Sequence, residues 1–394
     1  MEIWKEGKIG DFADVKGGKR LPKGKQLVGF PTAHPYIRIR DMGKSKFLQL
    51  TSDYEYVDEE TQKYISRYIV SKGDILISVV GTIGLVGIIG DTLDGANQTE
   101  NCDKLTNIRN IDRDFLYYYL VSSFGQGEIA KGTVGAVQPK LPLKNIQDLS
   151  IRFPSLQTQK RISAVLSALD NRIEKNVEIN KNLEQQAKAI FERMLSSSNS
   201  QSCALSDIAQ LNPKRSLSKG SVARYIDMAQ LSTSTSFPNG WDYKTYNGGM
   251  RFCNGDTILA RITPCLENGK TAFINFLNKG EVAFGSTEYV IISPKDDYPP
   301  EFFYCLARYT DFVDYAVKNM NGSSGRQRVS AETIGKYILP KITDSEIKDF
   351  CAVVPPMFKV CCNNSLENIR LAALRDTLLP RLMSGDLDVT DLNF

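Results

Sequence analysis

Histidine is almost missing from this chain: His34 is the only one in 394 residues, and there are just two tryptophans. A single histidine rules out paired-histidine metal sites and weakens every mechanism that needs an imidazole base. The eight cysteines form no Cys-x-x-Cys pair, and Cys361 and Cys362 are adjacent, so the usual Cys/His zinc arrangements are excluded as well. With no signal peptide in view, the expectation is free thiols in a reducing cytoplasm. Long apolar runs are also lacking. The uncharged stretch 75–90 is sixteen residues, is punctuated by Gly81, Gly84, Gly87 and Gly90, and lies between Asp74 and Asp91. A membrane span needs ~20 apolar residues, so this stretch is read as buried strands joined by a glycine turn, and no membrane is expected. A strong charge of either sign is absent too. The net charge of +4 says little about partners, whereas local charge says more.

What the chain does have is a repeat. Lys19-Arg20 with Lys23-Gly24 is matched by Lys214-Arg215 with Lys219-Gly220, an offset of 195 (214 − 19). Asp41-Met42 is matched by Asp227-Met228, at 186 (227 − 41), and Gly73-Asp74-Ile75-Leu76 by Gly255-Asp256-Thr257-Ile258, at 182 (255 − 73). Phe115-Leu116-Tyr117 is matched by Phe302-Phe303-Tyr304, at 187 (302 − 115), and Gly132-Thr133-Val134-Gly135 by Gly322-Ser323-Ser324-Gly325, at 190 (322 − 132). Five matches in one order imply duplication, and the drifting offset is what loop insertions produce. Charge follows the same repeat. Residues 11–46 carry nine Lys or Arg against three Asp, and residues 212–224 carry four basic residues and no acid. One such segment would be an ordinary solvated face, but two at equivalent places favour a surface that meets an anion.

Each half is read as mixed and β-rich. Ile75-Leu76-Ile77 and Val79-Val80 are β-branched and flanked by glycine, as strands are. Phe115 to Phe124 fits a short buried helix, and Glu288 to Ser293 fits a strand. Each half then gives way to a heptad. Ile162, Leu166, Leu169, Ile173, Asn176, Asn180, Leu183, Ala187, Ile190 and Met194 alternate steps of four and three, the seam of a coiled coil. Adding 188 gives Phe350, Val354, Met357, Cys361, Asn364, Asn368, Leu371, Arg375, Leu378 and Leu382. Asparagine recurs at the same two places. Seam asparagines cost stability but fix register and partner, so Asn176, Asn180, Asn364 and Asn368 are expected to set the register between these two helices. Thr343 with Glu346 forms a capping box, and Pro154 and Pro340 end the strands that precede the helices. Thr158 to Leu195 would span ~57 Å if straight. Pro355-Pro356 predicts a kink or a fresh start in the second helix. Ser196 to Ser202 is read as a flexible exit.

A search for catalytic machinery finds none. Gly43-Lys44-Ser45 and Gly269-Lys270-Thr271 resemble the tail of a phosphate-binding loop, but the glycine required five positions earlier is Arg38 and Pro264. The adenine-methylation motif Asn-Pro-Pro-aromatic is absent; Asp297-Tyr298-Pro299-Pro300 has similar letters in the wrong order. Glu346-Ile347-Lys348 could suggest a nuclease, but Glu346 already has a role as a helix cap.

Several segments together resemble the specificity subunit of type I restriction–modification systems, over essentially the whole length. They are Gly132-Thr133-Val134-Gly135 with Gln138, Ile151-Arg152-Phe153-Pro154-Ser155-Leu156-Gln157-Thr158-Gln159, and Leu378-Leu379-Pro380-Arg381-Leu382-Met383-Ser384-Gly385. Two places depart from the family's wording, Pro355-Pro356 and the segment from Pro340 to Glu346. The resemblance implies a mixed α/β chain with a pseudo-two-fold internal repeat. Two similar α/β target recognition domains, 1–155 and 201–342, are separated by two long antiparallel coiled-coil helices within 156–200 and 343–394, the latter including a C-terminal tail. It implies a non-catalytic subunit that recognises a bipartite site on double-stranded DNA. Its partners would be two methyltransferase subunits acting on adenine N6 and restriction subunits. No cofactor is expected on this chain; S-adenosylmethionine and Mg/ATP belong to the partners.

The residues expected at DNA in the first domain are Lys16, Lys19, Arg20, Lys23, Arg38, Arg40, Thr82, Lys131 and Gln138. In the second domain they are Lys214, Arg215, Lys219, Arg224, Arg261, Arg326, Gln327 and Arg328. Cations grip phosphates and fix register, while Arg can pair with guanine and Gln with adenine. Two alternatives stay open: a coiled-coil assembly subunit that reads no DNA, and a divergent autonomous nuclease or methyltransferase.

Overall fold

The computed structural model describes residues 3–43, 45–197, 201–295, 298–323 and 325–389. Lys44, residues 198–200 of the expected flexible exit, Asp297, Ser324 and the last five residues of the C-terminal tail lie outside the described residues. The chain forms two compact units: Met1–Asn171 with Leu371–Phe394, and Arg172–Arg370. The long helices are therefore not bodies of their own. Leu156–Ser197 and Asp344–Ser384 each contribute one stretch to each unit.

In the first unit a five-stranded sheet has the spatial order Asp14–Gly17, Cys102–Thr106, Ile75–Ser78, Val86–Ile89, Phe47–Leu48. The uncharged run thus becomes an antiparallel pair, Ile75 opposite Ile88, with both strands fully buried. A three-stranded sheet of Glu55–Tyr56, Pro35–Ile37 and Asn97–Gln98 follows, its last pair parallel. The second unit repeats this plan. Its first sheet runs Ala209–Leu211, Tyr289–Pro294, Thr257–Ala260, Thr271–Phe273, and its second contains Asp242–Thr245, Val222–Ile226 and Ala283–Gly285, the last pair again parallel. Met250–Phe252 is added at one edge. The duplication seen in scattered tetrapeptides is thus a duplication of strand order.

Each globule also begins and ends in one short ladder. Lys5–Lys8 pairs with Ser150–Phe153 in the first unit, and Ser202–Ala204 with Ile338–Pro340 in the second. Tyrosines and phenylalanines fill the space behind the sheets. The helix Arg113–Val121 buries Phe115 and Tyr117 to Tyr119, and Asp112 caps it by accepting from the Phe115 amide at 2.8 Å. It stops before Phe124, because Ser122 caps a second helix, Ser123–Gly132.

The long helices run antiparallel within each unit. In the first, Ile162 and Leu166 share a core with Leu382 and Met383. In the second, Ala187, Phe191 and Met194 share a core with Phe350, Val354 and Phe358. The capping box at the start of the second helix is present: the Thr343 amide donates to Glu346 at 2.9 Å and the Glu346 amide to Thr343 Oγ1 at 3.3 Å. The break expected at Pro355-Pro356 is not, since helix continues through both prolines. The amides they lack would have bonded the carbonyls of Cys351 and Ala352. Both residues are exposed, so water can satisfy those carbonyls, and buried Val354 and Phe358 on the opposite side hold the turn in place. Among the described residues no helix is long and apolar enough to cross a membrane.

Candidate nucleic-acid interface

The first basic segment leaves the sheet edge through Gly17 and Gly18. A Cβ on Gly18 would lie 1.9 Å from the Thr99 carbonyl oxygen, so only glycine lets the chain pass here. Lys19 is then tied down through its own amide, which donates to the Gln98 carbonyl at 3.2 Å. This route leaves Lys16, Lys19, Arg20 and Lys23 exposed. Lys19 lies over the Tyr68 ring at 5.6 Å, and Arg20 donates to Glu100 at 2.7 Å while staying 82% exposed. Such an exposed pair contributes little to stability, so Arg20 can exchange its carboxylate for a phosphate at small cost. Arg38 and Arg40 converge on Glu55: Arg38 bonds it directly, and Arg40 at 2.9 Å with a further bond to the Asp53 carbonyl at 3.1 Å. Lys131 pairs with Glu128 at 2.6 Å. Thr82 and Gln138 are exposed.

In the second unit Lys214 and Lys219 are exposed, but two of the expected contacts are spoken for by the framework. Arg215 is largely buried and bonded to Asp256, itself 1% exposed, and to Ser293 at 3.1 Å. Arg224 is packed over the Trp241 ring at 4.9 Å and lies 3.0 Å from Glu281. Freeing either guanidinium for a phosphate would strand a buried or half-buried carboxylate. Arg261 and Arg328 meet on Glu288, at 3.4 Å from Arg261 and at 2.8–3.0 Å across three bonds from Arg328. The bonds from Arg328 hold the Glu288 carboxyl below its usual range against a smaller opposing effect of burial. Arg326 is exposed and Gln327 half-buried on the same loop.

The seam asparagines meet in the second unit. The Asn364 amide donates to Asn180 Oδ1 at 2.8 Å, and Asn180 donates to the Cys361 carbonyl at 3.1 Å and to Ser365 at 3.2 Å. Asn176 donates to Asn368 at 2.9 Å and to Glu367 at 2.8 Å, and Arg172 pairs with the same Glu367 at 2.9 Å. Asn176 Oδ1 stays buried without a partner, but the bonds made by the four asparagine amides favour one alignment of the seam over its slipped alternatives.

Sequence reasoning missed Lys46, the most unusual cation of the first unit. Its side chain is 2% exposed and its ammonium donates to Asp114 at 2.9 Å, Ser167 at 2.7 Å and Tyr118 at 3.3 Å. Burial, the largest single influence, would raise the Asp114 carboxyl, but the bonds and charges of Lys46 and Arg113 together hold it below its usual range. Tyr118 donates to Asp170 at 2.6 Å, and Arg375, at a seam position, reaches the same carboxylate at 2.8 Å. The network thus joins Lys46, Asp114 and Tyr118 of the globule to Ser167, Asp170 and Arg375 of the paired helices, all in one unit. In the second unit Glu184 has the corresponding task. It accepts from Ser236 Oγ at 2.7 Å and from Tyr304 at 3.3 Å, and burial pushes its carboxyl up. No sequence signal separates Lys46 from the surface lysines around it. Among the described residues no group of three or more His, Cys, Asp or Glu is placed to hold a metal ion.

Residues 1–185 match the family model described as the type I restriction modification DNA specificity domain. The chain is 23% identical to the type I restriction enzyme HindI specificity subunit of Haemophilus influenzae, over 98% of this chain and 100% of that one. It is 24% identical to the MjaIX specificity subunit of Methanocaldococcus jannaschii, over 99% and 94% of the two chains. In fold it is similar to the crystal structure of a type I restriction–modification S subunit from M. genitalium. The TM-score is 0.59 over 97% of this chain and 96% of that chain, at 17% identity.

Proposed function

We propose that the chain is a specificity subunit of a type I restriction–modification system, as the match over residues 1–185 and the full-length relatives suggest, and that it reads a bipartite DNA site, one half with each compact unit. The observation that carries this reading is the repeat of strand order in the two units, down to the parallel pair in the smaller sheet of each. Two readers of one design call for a target of two comparable parts. The long helices are common to both units, and their alignment, fixed by seam asparagines, sets the unread interval between the half-sites. Exposed lysines and arginines of the two basic segments — Lys16, Lys19, Arg20 and Lys23, then Lys214 and Lys219 — neutralise phosphates and fix register. Arg38, Arg40 and Lys131 in the first unit remain candidates because their own side chains are 40%, 49% and 77% exposed, against 12% for Arg224, although Glu55 and Glu128 are half-buried. Arg215 and Arg224 support the fold instead.

The chain itself carries out no chemistry in this account. Two methyltransferase subunits would modify an adenine in each half-site, and restriction subunits would cleave, with S-adenosylmethionine and Mg/ATP bound by those partners. Base extrusion for methylation likewise falls to the methyltransferase. Mapping methylated adenines across the genome of a strain with and without this chain tests the proposal. The expected result is one motif of two short words with a fixed gap, lost entirely on deletion. A motif without a gap, or one that survives deletion, would contradict it.

A further inference from the structure

Each unit carries one short hairpin at the same place in the repeat. In the first, Val134 and Lys140 exchange backbone bonds of 2.8 Å each, and Leu141 donates to the Val79 carbonyl at 3.0 Å. In the second, Asn321 and Arg328 exchange bonds of 2.9 Å each, and Val329 donates to the Arg261 carbonyl at 3.0 Å. Both hairpins dock beside a core strand through one bridge, Val80 to Lys140 and Ile262 to Arg328. The hairpins contribute nothing to the core between these anchors: every described residue from Gly135 to Pro139 is exposed, as are Gly322, Ser323, Gly325 and Arg326. A feature built twice, anchored by the same bonds and pointed away from the core, is kept for what its tip meets.

The second hairpin is the more rigidly held. Glu288 grips Arg328 through three bonds and Arg261 through one, and the Arg261 amide donates to the Glu288 carbonyl at 3.1 Å. The Thr263 amide adds a bond to the Gln327 carbonyl at 3.1 Å. The Arg328 guanidinium also donates to the Arg326 carbonyl at 3.0 Å, so the clasp fixes the backbone from which Arg326 projects. Gly322 and Gly325 have φ of 132° and 79°, which a side chain would strain. Arg326 itself is exposed and has no carboxylate partner among the described residues. A guanidinium presented from a preorganised loop is suited to paired acceptors on a base edge, above all guanine O6 and N7. In the first unit the positions answering to Arg261, Glu288 and Arg328 are Val79, Asn101 and Lys140, since Val79 donates to the Asn101 carbonyl at 2.8 Å as Arg261 does to Glu288. The clasp therefore belongs to the second reader alone.

We propose that the hairpin Asn321–Arg328 is the base-reading element of the second unit, with Arg326 as the side chain at the base edge and Glu288 as its positioning residue. The proposal rests on the DNA-reading function above. The test uses the complete complex of this chain with its methyltransferase and a set of duplexes, each with one base pair of the mapped site changed. Arg326→Ala should reduce discrimination about tenfold or more at one base pair of one half-site, leaving the other half-site and the thermal midpoint unchanged. Glu288→Ala should relax the same base pair, and Glu288→Asp should recover part of the loss. Weakening of all duplexes alike by Arg326→Ala, with a shallower salt dependence, would make it a phosphate contact and overturn the assignment while leaving the bipartite reading intact. Uniform weakening by Glu288→Ala would overturn its positioning role. A wild-type complex indifferent to every base change would overturn the DNA-reading function and this assignment with it.

Discussion

Exchanging residues 201–342 for the corresponding segment of another specificity subunit is expected to replace one half of the methylated site and to leave the other half and the gap unaltered. The second globule is built as a cassette. Its first strand, Ser202–Ala204, pairs with its last, Ile338–Pro340, with Cys203 opposite Leu339, and the Lys341 amide donates to the Gln201 carbonyl at 2.8 Å. The chain therefore leaves and rejoins the helices at one ladder, and a foreign segment with the same ladder closes the same way. Each wrong base pair costs a specific complex ~1–3 kcal/mol, so replacing several contacts at once removes recognition of the old half-site altogether. Methylation mapping of the exchanged strain reads the outcome. A change in both halves would show that the two units do not read independently.

Lys46→Met is expected to destabilise the first unit by about 3–5 kcal/mol, the usual cost of removing one partner of a buried ion pair. The substitution keeps the volume but leaves Asp114, 22% exposed, and the hydroxyls of Ser167 and Tyr118 without the ammonium they face. Arg113 also pairs with Asp114, at 2.6 Å, and this places the expected loss at the lower end of the range. Urea unfolding measures it, provided the transition is followed by a probe in the first unit, because two units need not melt together. A double variant Lys46→Met with Asp114→Leu should recover much of the loss, since no buried charge is then left alone. A loss below ~1 kcal/mol for the single variant would mean that water already reaches the site and that the network does not tie the globule to its helices.

The parts of this architecture that were legible from sequence are those governed by short periods or by repetition. The seam from Ile162 to Met194 could be read because helical geometry imposes steps of three and four, and its asparagines could be paired because the second seam repeats them 188 residues later (364 − 176). The buried pair Ile75–Ser78 and Val86–Ile89 could be read from β-branched residues and glycines. What could not be read depends on partners far apart in the chain. Arg215 looked like its neighbour Lys214, yet Asp256, forty-one positions on, holds it in the framework (256 − 215). Arg38 and Arg40 meet Glu55, and Arg261 and Arg328 meet Glu288, only because strands bring them together. Pro355-Pro356 misled for a related reason. A local rule predicted a break, and packing of Val354 and Phe358 on one side with solvent on the other made a continuous helix tolerable.

Inserting four residues into both long helices, between Asn176 and Asn180 and at the facing positions between Asn364 and Asn368, tests whether the paired helices set the spacing of the two half-sites. Four helical residues add ~6 Å, and successive base pairs rise ~3.4 Å. Methylation mapping should find both words unchanged and the gap between them longer by one or two base pairs. An unaltered gap would show that the paired helices do not set the spacing.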